Sequence, residues 1–171
     1  MRYCKLILIL LTANLLSCEK TNDKLFWISE TTNDSNDFLF LTESTNVKAL
    51  NGDSLNLFLQ ADEFAQFDSA STNYKNFGQI YKGDRFKVFV LLRSIETYGR
   101  DYVFIIRTFD NDWKVIDDFE LGTWDERKKK FCVGSINRAL IIERKCKDKE
   151  TSDIMQITDD GRIIVTSFRK P

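Results

Sequence analysis

Two stretches decide the fold of this chain: Phe86-Lys87-Val88-Phe89-Val90-Leu91-Leu92 and Tyr102-Val103-Phe104-Ile105-Ile106. Both are rich in β-branched and aromatic residues, which favour strands. Their apolar residues are largely consecutive rather than alternating, which is typical of strands that are buried on both faces. We therefore place both stretches centrally in a β-sheet and expect Glu96–Arg100 to connect them.

Further apolar segments follow these two strands and are separated by short polar turns. They are Trp113–Leu121, Phe131–Ile136, Leu140–Arg144, Ile154–Ile157 and Arg162–Val165. In the first of them apolar and polar residues alternate, so Val115 and Phe119 are expected on one face. The sequence predicts an all-β fold, an antiparallel meander of about seven or more strands. Such a meander can close as a barrel, form a sandwich or curl in a propeller-like way.

The part of the chain before residue 85 is less regular. Leu25–Ile28 is apolar and is expected to form an edge strand. Leu55, Phe58 and Leu59 fit one face of a helix, so we predict one short helix near 55–67. Residues Ser69–Asn76 are then expected to form a loop.

The N-terminal segment has the parts of an export signal. Arg2 and Lys5 supply positive charge, and an apolar run from Leu6 to Leu16 follows. This run is shorter than the ~20 residues that a membrane-spanning helix needs. The sequence therefore predicts a secretory signal over residues 1–17.

The four residues Leu15-Leu16-Ser17-Cys18 resemble the lipobox of bacterial lipoproteins, with an aliphatic residue, a small residue and then cysteine. The resemblance implies that Cys18 receives a diacylglycerol group and becomes the first residue of the mature chain, where acyl chains anchor it to the membrane. It divides the chain into a signal peptide (1–17), a lipidated tether (18–24) and a single β-rich domain (25–171). Because Glu19 follows the cysteine, in place of the aspartate linked to inner-membrane retention in enteric bacteria, an outer-membrane location is favoured, on either leaflet.

Composition excludes several classes of function. Cleavage before Cys18 leaves 171 − 17 = 154 residues, enough for one domain, with 23 basic and 26 acidic side chains and a net charge of −3. Nucleic acid is not an expected partner, because such proteins carry a basic field. The chain has no histidine, so Ser-His-Asp and Cys-His catalysis and most zinc sites are excluded.

Cys132 and Cys146 are the two remaining cysteines of the exported domain. If both cysteines lie on one hairpin and face each other directly, the residue numbers of every directly opposed pair in that hairpin sum to 132 + 146 = 278. That register places Ile136 opposite Ile142 and leaves Arg138-Ala139-Leu140 as an ordinary three-residue loop. Because the two cysteines then share a face, a disulfide is expected in the oxidising envelope, and two separate buried thiols are the alternative.

Charge is segregated along the chain. Residues 110–126 carry seven acidic side chains and one basic, a net of −6, while residues 127–149 carry nine basic and two acidic, a net of +7. The simpler interpretation is that neighbouring strands neutralise each other across the sheet. The functional interpretation is that Arg127-Lys128-Lys129-Lys130 forms a basic docking patch for an acidic protein, glycan or lipid headgroup.

The carboxylate pairs do not predict catalysis or metal binding. Adjacent residues such as Asp117 and Asp118 point to opposite faces of a strand, and Asp125-Glu126 and Asp159-Asp160 read as turns. Asp110-Asn111-Asp112 begins like a calcium loop, but it lacks the required glycine and bidentate glutamate. No catalytic residue, metal or cofactor is therefore predicted.

The sequence thus predicts a lipid-anchored envelope protein, a non-enzymatic binding or accessory module whose partner is an envelope protein or glycan. One alternative is an inhibitor or immunity lipoprotein against an envelope-acting enzyme or toxin. A second is a lipocalin-like carrier of a small ligand, which requires a closed barrel with an apolar cavity.

Overall fold

The computed structural model describes residues 24–28, 48–60, 72–95, 101–149 and 151–169. This part of the chain forms ten strands and one helix. The strands are β1 (Lys24–Trp27), β2 (Lys48–Ala49), β3 (Thr72–Lys82), β4 (Phe86–Ile95), β5 (Asp101–Asp110), β6 (Val115–Asp125), β7 (Lys130–Asn137), β8 (Ile141–Cys146), β9 (Ser152–Ile157) and β10 (Ile163–Arg169), and the helix is α1 (Gly52–Leu59).

The strands form one antiparallel sheet in which β2 to β10 follow each other in chain order. The first strand, β1, lies outside this path and pairs antiparallel with β7. The predicted all-β meander is therefore confirmed. The sheet is not closed into a barrel, because its two end strands, β2 and β10, do not pair with each other among the described residues.

The central strands β4 and β5 are buried on both faces, as the sequence predicts. Alternate residues of β4, from Phe86 to Leu92, join the main hydrophobic core together with Tyr102, Phe104 and Ile106 of β5. The residues between them contribute to a second core under α1. Two-sided burial explains why these strands read as continuous apolar runs.

Helix α1 covers the second core. The first turn of the helix is held by Ser54, whose hydroxyl accepts a hydrogen bond from the Asn51 N–H at 3.1 Å and donates one to the Asn51 carbonyl at 2.6 Å. Phe58 packs against Phe89 and Phe109 at ring-centroid distances of 5.1 and 5.6 Å. The predicted short helix is confirmed, but it begins at Gly52 rather than at residue 55. Residues 61–67 of the prediction lie outside the described part of the chain.

The loop predicted for Ser69–Asn76 is wrong from residue 72 onward, where the eleven-residue strand β3 begins. The register between β3 and β4 shifts twice, between Asn76 and Gly78 and between Gln79 and Tyr81. Each such bulge moves the following side chains to the other face of the strand. The period of two that reveals a strand is therefore lost in this sequence.

The expected common face of Val115 and Phe119 is also wrong. Val115 lies opposite Phe109 and packs on the second core, whereas Phe119 lies opposite Ile106 and packs on the main core. A register shift between Thr108 and Phe109 of the neighbouring strand inserts one extra residue into β6. This extra residue reverses the alternation.

Candidate functional site

The predicted lipidation site, Cys18, lies outside the described residues, as does the tether up to residue 23. The described chain begins at Lys24, which is placed opposite Asn137 at the C-terminal end of β7. Within the described ranges, no helix is both long and apolar enough to cross a membrane.

The two cysteines of the domain are joined in the structure. Cys132 lies directly opposite Cys146 in the β7–β8 hairpin, Ile136 lies opposite Ile142, and the sulfur atoms are 2.00 Å apart. The Lys147 N–H donates to the Phe131 carbonyl at 2.9 Å, which marks the cysteines as a non-hydrogen-bonded pair, where facing side chains are closest. The predicted disulfide and its register are both confirmed.

The predicted basic patch forms the tight turn between β6 and β7. Asp125, the last residue of β6, closes the turn by accepting a hydrogen bond from the Lys128 N–H at 2.9 Å and by pairing with the Lys128 ammonium at 3.3 Å. Arg127, Lys128 and Lys129 are exposed, and Lys130 is half-buried beside Glu120 at 3.5 Å. Two lysines of the patch are thus paired with carboxylates, as the simpler interpretation of the charge expects, while Arg127 and Lys129 are exposed and make no ion pair within the described part of the chain.

The pKa of Asp125 reflects its role in the turn. Burial alone would raise this pKa, but the hydrogen bond and the charge supplied by Lys128 lower it below the usual value. The carboxylate therefore stays ionised and holds the turn in place at neutral pH.

Three further lysines lie beside this turn. The disulfide fixes the C-terminal end of β8 against the start of β7, so Lys145, Lys147 and Lys149 come close to the β6–β7 turn. We call residues 126–130 and 145–149 together the basic end. It contains seven basic and two acidic side chains, Glu126 and Asp148, and has a net charge of +5.

A buried ion-pair cluster supports the basic end. Arg144 and Asp153 lie opposite each other on β8 and β9, with a guanidinium–carboxylate distance of 2.7 Å, and Lys149 is 3.5 Å from the same carboxylate. Burial would raise the pKa of Asp153, but Arg144 and Lys149 outweigh this effect and lower it. Sequence analysis missed this cluster, because it depends on the β8–β9 register.

Asp101 and Asp125 form a second arrangement that sequence analysis missed, because they lie directly opposite each other at the ends of β5 and β6. Burial raises the pKa of Asp101, the Arg93 guanidinium at 3.9 Å opposes this rise, and the negative charge of Asp125 adds to it. One oxygen of Asp101 is buried and accepts no hydrogen bond within the described residues. The pair is therefore electrostatically unfavourable at neutral pH.

A third missed feature is Arg107, a fully buried arginine on β5. It donates to the Phe58 carbonyl at 2.7 Å and to the Asp118 carboxylate at 2.6 Å. Beside it, Leu59, Gln60, Val115, Ile116, Asp117 and Asp118 line an open pocket of about 420 Å³. Gln60 bonds to the Trp113 carbonyl and accepts from the Val115 N–H, so this region fastens α1 to the sheet.

The two acidic residues of this pocket already form hydrogen bonds or ion pairs with other groups of the protein. Asp117 accepts hydrogen bonds from the backbone N–H groups of Asp118 and Ile163, at 2.9 and 2.8 Å, and Asp118 pairs with Arg107. No group of three or more potential metal ligands occurs in the described ranges. Among the described residues, neither this pocket nor a metal-ligand cluster therefore offers a ready binding site, and the basic end stands out by its net charge of +5.

Comparisons with known proteins do not add a family to this description. No protein-family model matches the chain, and neither a curated protein nor a solved structure matches it.

Proposed function

We propose that this chain is a lipid-anchored module of the bacterial envelope that binds an acidic partner through its basic end and carries out no catalysis. The observation that carries the proposal is the disulfide-fixed cluster of seven cations at one end of the β7–β8 hairpin. A cluster of one sign of charge attracts and orients a partner of the other sign.

Four of these cations are available to a partner. Lys128, Lys130 and Lys149 pair with Asp125, Glu120 and Asp153. The remaining four make no ion pair within the described residues and are exposed: Arg127, Lys129, Lys145 and Lys147. The neutralised lysines therefore hold the scaffold, while the other four provide the binding charge.

The lipobox and the fold together favour a basic end that points away from the membrane. The tether would enter the domain at Lys24, beside Asn137, whereas the basic turn adjoins Lys130 at the other end of β7. An eight-residue strand separates these points by roughly 23 Å. Because the tether would enter the domain at the opposite end of β7 from the basic turn, we infer that the basic end faces an envelope partner rather than the lipids of its own anchor.

Of the two alternative functions, an inhibitor or immunity lipoprotein fits the structure better than a lipocalin-like carrier does. An inhibitor or immunity lipoprotein is the case in which the acidic partner is an envelope-acting enzyme or toxin, and the same surface serves it. A lipocalin-like carrier needs a closed barrel, but the sheet is open. The open pocket beside α1 also has two carboxylates, Asp117 and Asp118, among its six lining residues.

Charge reversal on the full, lipidated chain tests the proposal. In nonionic detergent micelles, wild type is expected to bind poly-L-glutamate in a salt-dependent way. The variant Arg127→Glu/Lys129→Glu/Lys145→Glu/Lys147→Glu should weaken this binding at least about tenfold. The control Lys82→Glu/Arg85→Glu/Lys114→Glu/Arg138→Glu has the same change in net charge at exposed positions elsewhere. Equal losses in both variants would contradict a specific docking surface.

A further inference from the structure

We propose that the basic end binds an acidic protein by taking one apolar side chain of that protein into a pocket beside the disulfide. This inference rests on the proposed function and narrows its partner to a protein. It also assigns a use to a pocket that the charges alone leave unexplained.

The pocket has a volume of about 170 Å³ and is lined by Phe131, Val133, Lys145, Cys146 and Lys147. Phe131 and Val133 form an apolar base and are themselves almost fully buried. Cys146 also lines the pocket, and its bond to Cys132 holds this end of β8 against β7. The pocket is therefore built on the hairpin that the disulfide cross-links.

The size of the pocket indicates what it accommodates. Pockets for small organic ligands have volumes of ~300–1,000 Å³ and enclose most of the ligand. A pocket of about 170 Å³ is too small for such a ligand but suits one apolar side chain. Protein interfaces commonly centre on an anchor of this kind, surrounded by a polar rim.

The charges around the pocket indicate the chemistry of the partner. Lys145 and Lys147 are alternate residues on and just after β8, both are exposed, and neither forms an ion pair in the described ranges. The Lys147 ammonium lies 4.6 Å from the centre of the Phe131 ring, at the edge of the pocket. An apolar anchor that enters here would bring its neighbours to two ammonium groups, which favours a segment with carboxylates next to the anchor.

A lipid surface fits this geometry less well. Proteins that insert shallowly into a bilayer use protruding apolar side chains. In the described part of the chain, the large exposed apolar residues are Leu57, Ile141, Ile164 and Val165. None of them belongs to the basic end, and Ile141 begins β8 at the opposite end from Lys145 and Lys147. The recess between the lysines is suited to receive a side chain rather than to insert into lipid.

Synthetic peptides test the inference without altering the protein. Two heptapeptides, each with six acidic residues around a central leucine or a central serine, are titrated into the full lipidated chain in nonionic micelles. We expect the leucine peptide to bind at least about tenfold more tightly, because its side chain leaves water. Lys145→Glu/Lys147→Glu should weaken both peptides, whereas the control Lys114→Glu/Arg138→Glu should not.

The outcomes separate this inference from the proposed function. Equal affinities for the two peptides, with poly-L-glutamate still bound at the basic end, would overturn the apolar anchor and leave the docking surface intact. Tighter binding to phosphatidylglycerol vesicles or to chondroitin sulfate than to the leucine peptide would overturn the protein partner. Failure to bind any of these anionic probes would overturn both proposals.

Discussion

Individual buried charged residues link the sheet to the helix that covers it. Arg107 is the clearest case, because arginine is almost never fully buried unless it is paired. Its guanidinium joins the C-terminal part of α1, through the Phe58 carbonyl, to Asp118 on β6. One side chain thus connects a helix and two strands.

We predict that Arg107→Leu destabilises the fold by about 3 kcal/mol, because it leaves a carboxylate and a helix carbonyl without their donor. Denaturant titration of wild type and variant measures this change in the free energy of unfolding. The double variant Arg107→Leu/Asp118→Leu should recover part of the loss, since the unpaired charge is then absent. Additive losses in the double variant would contradict direct coupling of the two side chains.

The ionised carboxyls of Asp101 and Asp125, which face each other, should change the free energy of unfolding in opposite directions. The raised pKa of Asp101 means that its ionisation opposes folding, so Asp101→Asn is expected to raise the unfolding free energy at pH 7. The lowered pKa of Asp125 means that its ionisation favours folding, so Asp125→Asn should reduce the unfolding free energy by about 1 kcal/mol.

Thermal unfolding between pH 7 and pH 3 measures both effects. The Asp101→Asn difference should shrink as the pH falls through the raised pKa of folded Asp101 and be lost below about 4, where the unfolded carboxyl is also protonated. The Asp125→Asn difference should persist down to about 4 and shrink only below it, as the pH falls towards the lowered pKa of folded Asp125. Stability changes of the same sign in the two variants at pH 7 would contradict the opposite shifts.

At the scale of elements, the β7–β8 hairpin carries the basic end and depends on its disulfide. Reduction, or Cys132→Ser/Cys146→Ser, opens a loop with a sequence separation of 14. We expect a loss of about 3 kcal/mol of unfolding free energy in the chain-entropy model. The measurement is chemical denaturation of the full chain with and without reductant, and the double serine variant, which should not respond to reductant, is the control.

The β9–β10 hairpin is a second element with a specific support. β10 ends the sheet, and an open edge is a site for unwanted strand pairing. Two features blunt this edge: a bulge between Val165 and Ser167, and the Asp117 carboxylate, which accepts from the Ile163 N–H at 2.8 Å. The hairpin is thereby tied to β6 as well as to β8.

We predict that Asp117→Ala increases the amide hydrogen exchange of β10 about tenfold, because a hydrogen bond to a charged acceptor contributes ~1.5 kcal/mol or more. Asp117→Asn keeps an oxygen acceptor for Ile163 and is the matched control. Unchanged exchange in the alanine variant would show that the carboxylate does not hold the edge.

The same elements show what the sequence could predict. The runs in β4 and β5 were recognisable because burial on both faces leaves them apolar throughout. The register of the disulfide hairpin followed from two cysteines and one loop length. In contrast, β3 was missed because two bulges break its alternation, and Gly78 adopts a positive φ of 119°.

The parts of the candidate site also differ in whether the sequence alone could predict them. The basic turn was visible as four consecutive cations. The remaining lysines of the basic end, the Arg144–Asp153 pair and the facing Asp101 and Asp125 required strand registers that composition does not contain. Arg107 gave no signal, because the Phe58 carbonyl and the Asp118 carboxylate that it binds are 49 and 11 positions away in the sequence.

At the scale of the whole molecule, the two ends of β7 are expected to have different roles. The lipobox would place the membrane near the Asn137 end of β7, and the basic end lies at the Lys130 end. Binding and anchoring are thus assigned to opposite sides of the domain.

Amine labelling of the membrane-bound protein tests whether the basic end faces away from the membrane. The full chain is expressed in a bacterial host, and open membrane fragments and detergent-solubilised protein are acetylated briefly and analysed by mass spectrometry. We expect the protein in the membrane fraction, with Lys128, Lys129, Lys145 and Lys147 labelled equally in both samples relative to the exposed Lys82 and Lys114. Absence from the membrane fraction, or several-fold protection of these four lysines in membranes, would contradict an anchored module whose basic end faces away from its bilayer.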